Sequence, residues 1–206
     1  IRGVCQGVGA AYSNALGHES VLMETPKVLI LPGWQGSGPS HWQSLWISQF
    51  AYQLVVQHDW VKPLRGDWLA RLDDVVSDLS GPVFLVAHSL GCIQVAAWAQ
   101  ISSQCHKVKA ALLVAPGDVE ASHLQDAFSS WRPIALTALP FESILIGSQN
   151  DPYCTAARAE QFAKAWGSHY LNLGECGHLN AESNLGDWPE GHALLNELMK
   201  EKKHGH

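Results

Sequence analysis

The sequence lacks a basic run. Its 13 Lys and Arg stand against 19 Asp and Glu, a net charge of −6, and only 16% of residues are charged. Nucleic-acid binding rests on lysine and arginine neutralising phosphates, so that class of partner is excluded. Long apolar stretches are missing as well, and none approaches the ~20 residues with which a helix crosses a bilayer. Cysteine is sparse. Cys5, Cys92, Cys105, Cys154 and Cys176 are odd in number, widely spaced and without a C-x-x-C pair, which argues against a disulfide framework or a zinc knuckle and for a reduced, cytoplasmic protein. No His or carboxylate pair has metal-ligand spacing, so neither a metal nor a cofactor is called for.

What is present is enough apolar material for one folded domain: 206 residues, 47% hydrophobic, with nine Trp. Residues 1–22 show no basic flank followed by an apolar core. They read as an N-terminal extension or leader, poorly ordered or peripheral, ahead of a start near Met23. Residues 23–206 read as a single domain in which short apolar runs alternate with helical periodicities. That is the signature of an α/β fold with a mainly parallel sheet. Strands are expected at 27–31, 54–57, 82–87, 108–114, 143–146 and 169–173. Helices are expected from Ser40, where Ser40 and Gln43 match a capping box, from Asp67, from Leu90, over 155–166 before Gly167, and from Pro189 to about Lys202. Residues 116–141 look loop-rich, with Pro116, Pro133 and Pro140.

The chemically informative segment is Val83-Phe-Leu-Val-Ala87-His88-Ser89-Leu90-Gly91. A strand runs directly into a helix with one serine at the junction and a small residue two positions to either side. This is the nucleophile elbow, G-x-S-x-G with Ala87 in the first glycine's place. A serine alone is a poor nucleophile at neutral pH and needs a base and a group that orients the base. On the α/β-hydrolase plan these follow in chain order Ser, acid, His, each after a later strand. Asp151 follows the fifth strand and His178 the sixth, on a loop that Gly177 lets turn back. Asp118, at the strand-end turn Pro116-Gly-Asp118, is the competing acid. An oxyanion would be met by the backbone N–H of Leu90 and by one from the loop after the first strand, most simply that of Trp34.

That loop also has a rival reading. Gly33-Trp-Gln-Gly-Ser-Gly38-Pro39-Ser40 follows a strand and nearly matches a phosphate-binding loop. Pro39 stands where the lysine belongs, removing a charge and a backbone donor, so nucleotide binding is set aside. Gln35, His88 and Trp188 are candidate substrate-pocket residues. Trp42 and Trp46 have helical spacing and read as core, whereas Trp34 and Trp188 stand on loops where pocket and packing remain open.

Five segments together resemble the retinoblastoma-binding protein nine family of small serine hydrolases, which includes YdeN-like bacterial proteins. They are LPGWQGSGPSHWQSLW (31–46), VFLVAHSLGC (83–92), GSQNDPYC (147–154), AKAWG (163–167) and GECGHLNAESNLGDWPEG (174–191). The resemblance implies a compact α/β-hydrolase sheet of about six mainly parallel strands with helices on both faces and no large cap domain. It also implies a catalytic triad of Ser89, Asp151 and His178, and carboxylesterase activity on short acyl esters, with amide or peptidase-like cleavage in some members; a thioesterase is a further alternative within enzymes. The retinoblastoma partner does not carry over. The nearest string to L-x-C-x-E, Leu90-Gly-Cys92-Ile-Gln94, ends in Gln and lies in the helix behind the serine. A non-catalytic binding module on the same scaffold is the alternative from another class.

Overall fold

A computed structural model of the protein describes residues 25–124 and 127–200, so the expectations for residues 1–22 and for the tail beyond Lys200 lie outside the described residues. Strands β1 (Lys27–Leu31), β2 (Gln53–Leu54), β3 (Val83–His88), β4 (Val108–Val114), β5 (Glu142–Gly147) and β6 (His169–Asn172) form one sheet. All its pairings are parallel and its order is β2-β1-β3-β4-β5-β6. The helices are α1 (Trp42–Phe50), α2 (Arg65–Asp78), α3 (Leu90–Ala99), α4 (Ala156–Trp166) and α5 (Pro189–Met199).

Side chains alternate across a strand, and the central strands are buried on both faces, so they read as unbroken apolar runs. Leu29, Leu85, Ala111 and Leu145 join one core layer with Trp68 and Leu72 of α2, Trp98 of α3 and Phe162 of α4. Ile30, Phe84, Leu112 and Ile146 join the other with Trp42 and Trp46 of α1 and Leu195 of α5. The expected architecture, helices on both faces of a parallel sheet, is what the chain forms. Among the described residues there is no cap domain and no helix long and apolar enough to cross a membrane.

Two helix starts differ from expectation. At α1 the cap is His41, whose side chain accepts from the Gln43 N–H. Gln43 cannot close a capping box with Ser40 because its amide is buried and donates to Leu31 O and Val86 O, at 3.3 and 3.2 Å. Helix α2 begins at Arg65 rather than after Asp67, with Leu64 as an unassisted cap. There Arg65 is tied to the 130–133 segment through its N–H to Ser130 Oγ and its guanidinium to Pro133 O. Tertiary contacts override the local signal in both places.

The sheet order places the site. From β1 the chain steps out to β2 on one side and returns to β3 on the other. A crevice therefore opens beyond the carboxyl ends of β1 and β3, where ligands bind in sheets of this kind. Segment 116–141 crosses one side of it, carrying two short 3-10 turns, Ser122–Leu124 and Ser129–Trp131. Trp131 Nε1–H donates to Pro63 O at 2.9 Å, and Arg158 of α4 pairs with Asp118 and Glu120 at 3.3 and 2.6 Å.

Candidate active site

Ser89 stands between β3 and α3 with φ 54° and ψ −120°, a conformation that side chains rarely adopt. Such strain costs roughly 1–3 kcal/mol and persists only where the surroundings over-determine it. Here Ser89 N–H donates to Val114 O and Cys92 N–H donates to Ser89 O, both at 3.0 Å. Two glycines make room for the turn. A Cβ on Gly91 would stand 2.3 Å from Leu31 O, and one on Gly33 would stand 2.6 Å from Ser89 Cβ. The glycine-rich loop after β1 thus lies directly against the serine.

His178 Nδ1 lies 3.0 and 2.9 Å from the two carboxylate oxygens of Asp151. An ionised carboxylate only accepts, so the proton of this contact is on Nδ1 and Nε2 is left with its lone pair. Both residues are buried. Asp151 Oδ1 also accepts the Tyr153 N–H at 2.8 Å, which fixes the carboxylate on its own turn. Asp118, the competing acid, is instead paired with Arg158. No hydrogen bond joins Ser89 to His178, although both border one cleft. Catalytic hydrogen bonds of unliganded enzymes are often long and tighten when substrate binds.

The histidine loop is held from behind. His88 Nε2–H donates to His178 O at 2.9 Å, and Trp42 Nε1–H donates to Leu179 O at 2.8 Å. Asn150 Oδ1 accepts the Gly177 N–H at 2.7 Å and Ser148 Oγ accepts the Cys176 N–H at 3.0 Å. The imidazoles of His41, His88 and His178 form a row with successive ring centroids 4.8 Å apart. Burial first, then the repulsion that a protonated His178 or His41 would exert, hold His88 well below the usual histidine pKa. Burial, and secondarily His178, lowers His41 to about 4. Both rings behind His178 are neutral donors and acceptors at ordinary pH.

The cleft has a volume of about 450 Å³. Its lining includes apolar Val119, Leu124 and Phe128 and polar Gln35, His41, Asn180 and Glu182. Trp34, Gln35, His88 and Leu90 all line it, so these sequence candidates come together around Ser89. The Trp34 and Leu90 amides make no hydrogen bond within the described residues, whereas the Gln35 N–H is spent on Trp60 O. Trp188 is a correction. It lies outside the cleft lining, only 4% exposed, packed on Trp42 and Trp46 with centroids 5.2 and 6.2 Å away, so it belongs to the core layer under α1 and α5. Tyr153 was not anticipated. Its ring stands 4.5 Å from that of His178, and it lines both the cleft and a second hollow of about 470 Å³. Its place two residues after the acid was the available signal. Among the described residues no group of three His, Cys, Asp or Glu is placed to hold a metal ion.

The chain is similar in sequence and in fold to known proteins. The sequence model of the family described as serine hydrolase matches residues 28–197. A YdeN-like hydrolase of Pectobacterium atrosepticum is similar in structure, with a TM-score of 0.75 and 29% identity over 84% of this chain and 90% of that one. The ydeN gene product of B. subtilis superposes with a TM-score of 0.69 at 18% identity, covering 84% of this chain and 98% of that one. The esterase RhEst1 of Rhodococcus sp. shares the fold at 13% identity, with a TM-score of 0.59 and coverage of 84% and 90%. A search of curated proteins finds no match.

Proposed function

The chain belongs to the serine hydrolase family, and on that premise we propose that it cleaves small acyl esters through an acyl-enzyme on Ser89. The observation that carries the proposal is the contact of His178 Nδ1 with both oxygens of Asp151, on the edge of the cleft that Ser89 also borders. His178 Nε2 takes the Ser89 hydroxyl proton as Oγ attacks the ester carbonyl carbon. The carbon–oxygen double bond becomes a single-bonded oxyanion, which the Leu90 and Trp34 amides receive. Asp151 holds the tautomer and stabilises the imidazolium without taking its proton. Collapse of the intermediate breaks the bond to the alcohol oxygen, which leaves with the proton from Nε2. Water, deprotonated by the same nitrogen, then hydrolyses the acyl-enzyme and regenerates Ser89.

A cleft of this size suits a small molecule rather than a polymer. Thioesters and amides would share every step and differ only in the leaving group. A binding module without catalysis is favoured by one observation, the open contact between Ser89 and His178. Both readings meet the same experiment: intact-mass detection of fluorophosphonate labelling on the parent protein beside Ser89→Ala and His178→Ala. One adduct on the parent and none on either variant supports the activated serine. A folded parent that takes up no adduct overturns the proposal and leaves the binding module.

A further inference from the structure

His41 is unusual in having one nitrogen committed and the other unused. Nδ1 accepts the Gln43 N–H at 3.1 Å and so caps α1. A nitrogen that accepts carries no proton, which places the proton of the neutral ring on Nε2. The low pKa of this ring keeps it neutral near pH 7. Yet Nε2 is buried and has no hydrogen-bond partner. Buried donors are nearly always paired, and leaving one unmade works against folding. The neighbouring His88 has its own Nε2–H donated to His178 O. The His41 ring borders the cleft beside Ser89, where an acceptor can come from whatever occupies it.

We propose that His41 is a specificity-determining donor, whose Nε2–H binds a neutral acceptor oxygen of the substrate other than the scissile carbonyl. The inference rests on the acyl-transfer reading above and deepens it. A neutral ether, hydroxyl or keto oxygen is favoured over a carboxylate because Glu182 lines the same cleft and the chain carries a net charge of −6. Val119, Leu124 and Phe128, which also line the cleft, take apolar carbon. The substrate class is therefore an amphipathic ester with a second oxygen, rather than a plain alkyl ester.

The test compares the parent with His41→Asn. Asparagine is among the best helix N-caps and keeps an acceptor for the Gln43 N–H, but it is too short to set a donor where Nε2 stands. kcat/KM is measured on two matched pairs in which one oxygen replaces a methylene. The first is p-nitrophenyl methoxyacetate against p-nitrophenyl butanoate, and the second is 2-ethoxyethyl acetate against pentyl acetate. Intrinsic reactivity cancels in the parent-to-variant ratio. The variant should lose about tenfold more on the oxygen-bearing member of one pair, and the responding pair tells whether the oxygen lies on the acyl or the alcohol side. Equal losses on both members of both pairs overturn the proposal. The ¹⁵N spectrum of the parent's histidines is a second readout free of turnover and of variant folding. A proton on Nε2 of His41 is expected, and one on Nδ1 overturns the proposal. Fluorophosphonate labelling of the parent separates the two levels: its absence would retire the acyl-enzyme, whereas labelling with flat ratios retires only the role of His41.

Discussion

One methyl group placed at two glycines should act in opposite directions. At Gly91 a Cβ would lie 2.3 Å from Leu31 O and 3.0 Å from Pro32 O, both backbone atoms at the end of a central strand. Even a close C···O contact needs about 3.3 Å, so β1 and α3 must part by about 1 Å. Overpacking in a rigid interior costs roughly 1–3 kcal/mol, and with backbone on the far side no rotamer can yield, which puts Gly91→Ala at the upper end. The same displacement carries the loop after β1, with the Trp34 amide, away from Ser89. A misplacement of about 1 Å at a reacting centre costs on the order of 100-fold in rate. At Gly66, near the start of α2, an added Cβ meets nothing within 4 Å and the backbone is not left-handed. Gly66→Ala should therefore stabilise by about 0.5–1 kcal/mol, with labelling unchanged. Urea unfolding followed by tryptophan fluorescence gives the stabilities, and fluorophosphonate labelling without denaturant gives the reactivity. A Gly91→Ala protein as stable and as quickly labelled as the parent would refute the close-approach argument.

The acid assignment predicts that Asp151→Asn lowers the labelling rate by about 10⁴, through loss of the correct tautomer. Asp118→Asn, which breaks an ion pair with Arg158 instead, should change it far less. Equal losses, measured side by side, would move the acid role away from Asp151. Stability should fall as pH drops from about 6.5 towards 4. In that window His41 binds a proton in the unfolded chain but not in the folded one, whose ring titrates only at about 4. Protons therefore favour unfolding, by on the order of 3 kcal/mol at the low end, and His88 acts in the same direction. Urea midpoints between pH 7 and 4 check this, and His41→Asn should flatten the profile. Lys107→Met should cost about 1–2 kcal/mol in the same unfolding assay without slowing labelling. The Lys107 ammonium donates to Val76 O, Ser77 O and Leu79 O and so closes the carboxyl end of α2 far from the cleft.

The parts of the fold that the sequence makes legible are those whose burial is symmetrical. Val108–Val114 is found with the expected bounds because both faces of β4 are covered, so nearly every side chain along it is apolar. Strand β2 is expected at 54–57 and found at Gln53–Leu54. It sits on the sheet edge and pairs through only two residues, Leu29 with Gln53 and Ile30 with Leu54, which leaves little patterning to read. The site divides in the same way. Ser89, Asp151 and His178 stand out in the sequence because acyl-transfer chemistry calls for such side chains at strand ends, and the structure sets Asp151 against His178 on the cleft that Ser89 borders. Trp188 is misplaced because a loop tryptophan has no periodicity to declare which way it faces. Its core packing depends on Gly191, where a Cβ would meet the indole at 2.4 Å, and on contacts with α1 far away in sequence.

The residues hardest to read are those that hold the readable ones in place, and they act on backbone rather than on side chains. His178 is carried by a loop whose carbonyls are taken by His88 at residue 178 and Trp42 at residue 179, and whose amides are taken by Ser148 at residue 176 and Asn150 at residue 177. These four come from β3, α1 and the turn after β5, so three separate pieces of the fold converge on four consecutive peptide units. No motif records such contacts, because a backbone group is bonded equally well by many side chains and the partner is chosen by distance in space. Such a clamp explains how a loop with left-handed residues at Gly177 and Leu179 keeps one orientation. It also explains how the end of β3 at His88 and the loop after β6 at His178, 90 residues apart in sequence, come to border one cleft. His88, the neighbour of Ser89 in sequence, is the residue that holds the backbone of His178, so in the proposed mechanism the elbow would fix both ends of the proton transfer at once.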